Sequence, residues 1–137
     1  MSYRLPFSTY ANGSNSRAAG TQFQVPTGLD TSEEISLTVT GTTDGTNLNP
    51  VLVNLYVTQI PTGATLNTAD VTETLYTMIF TPTGTANDVL VAVTDIDVRN
   101  LQPRETLAFR FNPQRSTDTN TDDFRTLNFR FSGIFFE

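Results

Sequence analysis

Three residues of one segment, Asp118, Asn120 and Asp122, alternate with threonines in the D-x-N-x-D spacing that gathers oxygen ligands round a calcium ion. An EF-hand would continue with Gly at its sixth position and Glu at its twelfth. Those places hold Asp123 and Phe129, so an EF-hand is excluded. Two readings remain, an irregular calcium site or a solvated hairpin loop of turn formers. Thr43-Asp44-Gly45 reverses the Asp-Thr-Gly order of aspartic proteases and has no second copy, so it reads as a turn. Glu33-Glu34 and Asp122-Asp123 are adjacent pairs, whereas a glycosidase holds two carboxylates across a cleft. No glycine pattern suited to cradling a phosphate occurs.

The composition of the 137 residues narrows the chemistry further. There is no Cys, His or Trp, and all eight basic residues are Arg. Disulfides, thiol chemistry and ordinary zinc or copper sites are thereby excluded. The usual general base and the Cys and Lys nucleophiles are missing, so no enzyme activity and no cofactor is expected. Fourteen acidic residues leave a net charge of −6, a poor basis for binding nucleic acid. No apolar run is long enough to span a membrane as a helix, and the first ten residues have no continuous apolar stretch of the kind a signal peptide needs.

The elements that would position any site are strands. Charged residues are 16%, against about 25% in an average globular chain. The difference is filled by 25 Thr, which favours strands, and 11 Asn, which favours turns. From Gly20 the hydrophobic pattern has period two. Phe23 and Val25 mark one strand, and Ile35, Leu37 and Val39 the next. Val51, Val53, Leu55 and Val57 form one face of a third, whose other face carries Leu52 and Tyr56, as a central strand covered partly on both sides would. Val71 to Phe80 opposes Leu75 and Ile79 to Tyr76, Met78 and Phe80. Val89, Val91 and Val93 run on toward Ile96 and Val98. Leu107, Phe109 and Phe111 make a sixth strand. Leu127, Phe129, Phe131 and Phe135 make a seventh, with a bulge expected at Gly133. The expected fold is therefore all-β: an antiparallel β-sandwich, immunoglobulin-like or jelly-roll, of seven to eight strands over residues 20–137. Residues 1–19 read as an extended N-terminal arm, either a disordered tail or a segment that orders on a partner through Tyr3, Phe7 and Tyr10.

Leu107-Ala-Phe109-Arg110-Phe111-Asn112 is echoed twenty positions on by Leu127-Asn-Phe129-Arg130-Phe131-Ser132. In each copy the phenylalanines take one face and the arginine the other. The copies read as two core strands of one hairpin, its arginines either solvated or marking a contact face. A loop symmetric about Asn120 would set Arg110 against Arg130, and like charges across a pair call for an acidic partner. The closing cluster Phe129, Phe131, Ile134, Phe135 and Phe136 reads as core or as a subunit interface.

The stretch Val98 to Phe111 is similar to the turn and strand of many immunoglobulin-like domains, which often read Leu, two spacers, Gly, Glu and then alternating apolars. Here Pro103-Arg104 stands where Pro-Gly is usual, before Glu105. In size, β-rich architecture and composition the chain as a whole resembles the head decoration, or cement, proteins of tailed bacteriophages. That resemblance implies a non-enzymatic structural virion protein on the capsid exterior, assembled in the host cytoplasm. It also implies a dimer or trimer whose partner is the major capsid protein or another virion subunit. Tyr3, Phe7, Tyr10, Arg110 and Arg130 would be its contact residues. The alternative is a receptor- or carbohydrate-binding sandwich module of a fibre or adhesin, which would need exposed aromatic rings from among the four tyrosines.

Overall fold

A computed structural model describes residues 2–3, 8–11, 13, 19–63, 71–99 and 101–136. The described residues form strands, turns and loops, with no helix. In chain order the strands are β1 (Ser2–Tyr3), β2 (Ser8–Tyr10), β3 (Ala19–Gln24), β4 (Ile35–Thr43), β5 (Val51–Ile60), β6 (Thr72–Phe80), β7 (Leu90–Ile96), β8 (Thr106–Pro113) and β9 (Phe124–Ser132). They pack as two antiparallel sheets. In the first, β1 and β2 both lie on β9, followed by β4 and β7; in the second the order is β3-β8-β5-β6. The pairs β2–β9, β3–β8, β4–β7 and β5–β6 are nested about the β5–β6 hairpin. This is one long double ribbon folded over on itself, the jelly-roll topology. Of the two sandwich topologies expected, the immunoglobulin-like one is excluded by this order.

Period-two burial builds the core. On β5 the odd positions Val51, Val53, Leu55 and Val57 are buried, and the even positions are half-covered. Leu37 and Val39 of β4, and Leu107, Phe109 and Phe111 of β8, follow the same rule. Fully burying each such side chain contributes about 1.5–3 kcal/mol before chain entropy is set against it.

The near-repeat does meet symmetrically about Asn120, but across the core rather than along a hairpin. β8 and β9 belong to different sheets. Phe109 faces Phe131 with ring centroids 4.5 Å apart, and Phe111 faces Phe129 at 5.0 Å, edge to face. The segment between the strands is thus an arch that carries the chain from one sheet to the other. A tight hairpin would have set the two rows side by side on one face of one sheet; the arch sets them face to face from opposite sheets.

Three further expectations are corrected. The bulge lies at Leu127, where β9 inserts an extra residue opposite Thr40 and Gly41 of β4, not at Gly133. Gly133 instead marks a close approach, since a side chain there would overlap Leu29 and press on Ile35. Val89, Val91 and Val93 face solvent, while Leu90, Ala92 and Ile96 turn inward. Finally, the described parts of residues 1–19 are not a free arm: β1 and β2 pair with β9, and Tyr10 is 2% exposed, its ring 6.1 Å from that of Phe124.

The turn before β8 carries a local strain. Arg104, standing where glycine is usual, has φ of 72°, the left-handed region that disfavours a residue with a Cβ. Its amide donates to the Val25 carbonyl at 2.7 Å, and the Glu105 carboxylate accepts from the amide of Gln102 at 2.7 Å and from that of Thr62. These bonds hold the turn in place against its dihedral preference. Arg104→Gly keeps every backbone bond and relieves the strain, offset in part by the greater freedom of glycine in the unfolded chain. It is expected to stabilise the domain by about 0.5–1 kcal/mol, read as a higher midpoint in thermal or urea unfolding.

Candidate interaction surfaces

The D-x-N-x-D segment is part of the arch, and its centre is occupied by a side chain. Arg115 is 1% exposed, the largest fully buried side chain described. Its Nη1 donates to Asp118 Oδ2 at 2.7 Å, and its Nη2 donates to the carbonyls of Asn120, at 3.3 Å, and Asp122. Asp118 Oδ1 is buried without a hydrogen-bond partner among the described residues, and the side chains of Asn120 and Asp122 are bonded to neighbouring backbone. Asn120 Nδ2 donates to the Asn49 carbonyl at 2.7 Å, and its Oδ1 accepts from the Asp122 amide at 2.9 Å. Asp122 Oδ2 accepts from the Asn47 amide at 2.8 Å, and Gly45 lies so close that a side chain there would overlap that carboxylate. The guanidinium is thus met by the Asp118 carboxylate and by the backbone carbonyls of Asn120 and Asp122, while the side chains of Asn120 and Asp122 tie the segment to residues 47–49. The segment is an arch built round the buried Arg115 rather than a solvated hairpin loop. Among the described residues no group of three or more acidic side chains is placed to hold a metal ion.

The arginines of the repeat are on opposite outer faces. Arg110, on β8, lies over the Tyr56 ring of β5 with its Cζ 4.1 Å from the centroid. Such a contact contributes about 0.5–1 kcal/mol at an exposed site. Arg130, on β9, stands between Thr38 of β4 and Ser2 of β1. The expectation that the two oppose each other fails because β8 and β9 never pair. Neither makes an ion pair with a described residue. Of the proposed aromatic anchors, Tyr10 is in the core and is not available on the folded surface. Tyr3 contributes backbone pairing to Phe129, its side chain lies outside what is described, and Phe7 lies outside the described residues.

Among the described residues the large exposed apolar side chains, Leu48 apart, are elsewhere, in three places. At one side of the sandwich β6 and β7, the edge strands of the two sheets, lie next to each other. β7 and the residue before it turn out Val89, Val91 and Val93, and β6 turns out Leu75 and Ile79, all between 53 and 63% exposed. Leu75 and Ile79 adjoin the half-buried Tyr56 and Leu52 of β5 on the outer face of the second sheet. The third place is Ile134-Phe135-Phe136, exposed by 56, 50 and 69%. These three residues are exposed but held. Leu29 bridges to Phe135, the Asp30 amide donates to the Ile134 carbonyl at 2.7 Å, and the Phe136 amide donates to the Gly28 carbonyl at 2.8 Å. A pocket beside them is lined by Phe23, Leu29, Ile35, Phe131 and Phe135. The phenylalanine cluster of the sequence is thus divided: Phe129 and Phe131 are core, and Ile134, Phe135 and Phe136 are surface. The outward valines were missed because Leu90 and Ala92 make the other face of β7 apolar too.

Where the chain leaves β7 it is closed by Asp97. The Asp97 amide donates to the Tyr76 hydroxyl at 3.1 Å, and its carbonyl accepts from Gln59 Nε2 at 2.9 Å. Its carboxylate accepts from the guanidinium and the amide of Arg99, the guanidinium contact being the stronger, and this lowers its pKa from 3.8 to about 2.

No family model matches the chain, and no curated protein matches it. Among solved structures, one described as "Family 16 Carbohydrate Binding Module-2" is similar, with a TM-score of 0.46 and 12% identity over 90% of this chain and 74% of that one.

Two outcomes follow from the charges. Arg115→Ala removes one partner of a buried ion pair and leaves Asp118 charged and unmatched. It is expected to cost about 3–5 kcal/mol in urea unfolding, while about 1 mM calcium leaves the unfolding midpoint of the unaltered chain in place. Asp97 ionises at lower pH folded than unfolded, so its contribution is present above about pH 4 and is lost as pH falls toward 2. The pair is exposed, so the change in stability is small. Carboxyl NMR should give a midpoint near 2 that Arg99→Ala moves up toward 3.8.

Proposed function

We propose that this chain is a non-enzymatic structural protein that acts by docking on other protein subunits, as a decoration protein on the exterior of a virion capsid. One observation carries the reading. Ile134, Phe135 and Phe136 are turned to solvent while their backbone is bonded to residues 28–30. Aromatic side chains presented on an ordered backbone lose little freedom on binding, and such residues supply most of the energy of protein interfaces. The jelly roll is a scaffold that viral capsid domains use, as lectins also do. The composition, with no thiol, imidazole or Lys amine, fits action by binding alone. A capsid lattice offers many equivalent sites, so a modest contact is multiplied, and a subunit that binds the assembled shell better than its parts stabilises the shell. In this reading the partner is the major capsid protein, and the chain joins the shell in the host cytoplasm.

A second reading is a receptor- or carbohydrate-binding module. The observation that favours it is Tyr56, half-buried on the outer face of the second sheet with Asn54 and Thr58 on the same face of β5 and Asn112 of β8 beside them. Arg110 already covers one side of that ring, which reduces the area open to a sugar.

Co-sedimentation with capsid particles of the same genome separates the two. The Phe135→Ser, Phe136→Ser double variant is expected to bind particles at least about tenfold more weakly than the unaltered chain, with unfolding little changed. Unaltered particle binding by that variant would overturn the Ile134–Phe136 docking surface; no particle binding by the unaltered chain, or a specific glycan-array signal lost in Tyr56→Ala, would overturn the capsid reading.

A further inference from the structure

We infer that β7 is a self-pairing edge: two copies of this chain join antiparallel along it, about a two-fold axis at Val91, continuing the first sheet from one protomer into the next. The inference goes beyond the docking function and uses a different surface from Ile134–Phe136.

The first argument is the edge itself. Among the described residues β7 pairs with β4 on one side and with no strand on the other. The β4–β7 register is unbroken over seven residue pairs, from Ile35 and Ile96 to Gly41 and Leu90, so no bulge twists the edge away. Soluble proteins guard such edges with charged side chains, proline, bulges or very short strands. From Val89 to Thr94 there is no charge and no proline. At the opposite side of the same sheet the edge is broken into the two short strands β1 and β2.

The second argument is what the edge displays. Val89, Val91 and Val93 are 57 to 63% exposed on one face, beside the half-buried Thr40 and Thr38 of β4. A lone copy leaves this stripe in water. Pairing about Val91 sets Val91 against its own copy and Val89 against Val93 in both directions, giving six valines in one cluster. Cross-strand β-branched pairs of this kind stabilise a ladder.

The third argument is charge, which decides the occupant. Acidic residues bracket the stripe at Asp88 and Asp95, and the chain as a whole is acidic, so a second copy must avoid setting like charges together. The register about Val91 does so. Asp88 falls opposite Thr94 and Asp95 opposite Asn87. Asp88 has the inward parity of Leu90, and Asp95 the outward parity of Val93, so the two acids of different copies are directed to opposite faces. Both carboxylates are also engaged at home, Asp88 by the Thr83 hydroxyl and Asp95 by the Ser36 hydroxyl, each at 2.7 Å. The register centred on Ala92 sets Val89 against Asp95, and the one centred on Val93 sets Val91 against Asp95. Only the register about Val91 keeps the stripe apolar. It is self-complementary, the property a closed two-fold interface requires.

Sedimentation velocity and light scattering on the full chain test this, over roughly 1–500 µM because a strand-pair interface is small. The expected result is a concentration-dependent species of twice the 15.1 kDa chain mass. Val91→Lys places a charge at the axis and should weaken association at least tenfold. Leu75→Lys on β6, also exposed, should leave it unchanged. Circular dichroism confirms that both variants are folded, and amide exchange should show β7 slowing with concentration in the unaltered chain alone. A chain that is monomeric throughout, a dimer that Val91→Lys leaves intact, or one lost in Leu75→Lys would each overturn the proposal.

Discussion

The guanidinium of Arg115 carries a full charge into a region that water does not reach, and the arch between β8 and β9 is shaped by the need to satisfy it. Asp118 supplies the countercharge, and two backbone carbonyls of the same segment take the remaining side. With those carbonyls turned inward, the chain curls through a fixed path and enters β9 in the other sheet. The loop from Asp44 to Asn49 is drawn onto the same arch by Asn120, Asp122 and Asn49. The facing of the phenylalanines depends on that path. If the segment straightened, Phe109 and Phe131 would no longer meet, and the contact between the sheets would lose its centre.

The strands were readable from the sequence because a half-buried strand writes its burial into alternate residues. Phe109, Phe111, Phe129 and Phe131 were assigned inward, and they are. What period two does not encode is which strand lies beside which. The repeat showed its symmetry about Asn120, yet a hairpin and an arch share that symmetry. Only the buried partner of Arg115 distinguishes them, and nothing local marks an arginine as buried. The same limit applies to β7, where both parities are apolar and the valines lose to Leu90, Ala92 and Ile96 in the contest for the core. Tyr10 was read as part of an arm because its neighbours are small and polar. Its place is set by β9, far away in the chain. At the candidate surfaces, the division of the phenylalanine cluster follows from where β9 ends, which Ser132 and Gly133 mark only in hindsight.

The outer surface shows an unequal treatment of edges. Around β1, β2 and β3 the edge strands are short or interrupted. Around β6 and β7 they are long and regular, with Leu75 and Ile79 outward on β6 and an unbroken valine stripe along β7. A chain that filled its surface with Thr and Asn could have done so here as well. The apolar side is therefore a local exception to the general composition, and it coincides with the side of the sandwich where two open ladders lie together.

The nesting of strand pairs sets an order on how the chain can fold. The β5–β6 hairpin is local and can form as soon as both strands exist. Each outer pair needs a strand from later in the chain, and β2 must wait for β9, which is made after every other strand described. Until then Tyr10 has no Phe124 to lie against, and β4 lacks one of its two neighbours. Pairing at such separations is slow because the loop must close before any contact rewards it. The domain thus closes from the inside out, and β2 is among the last strands to find its place.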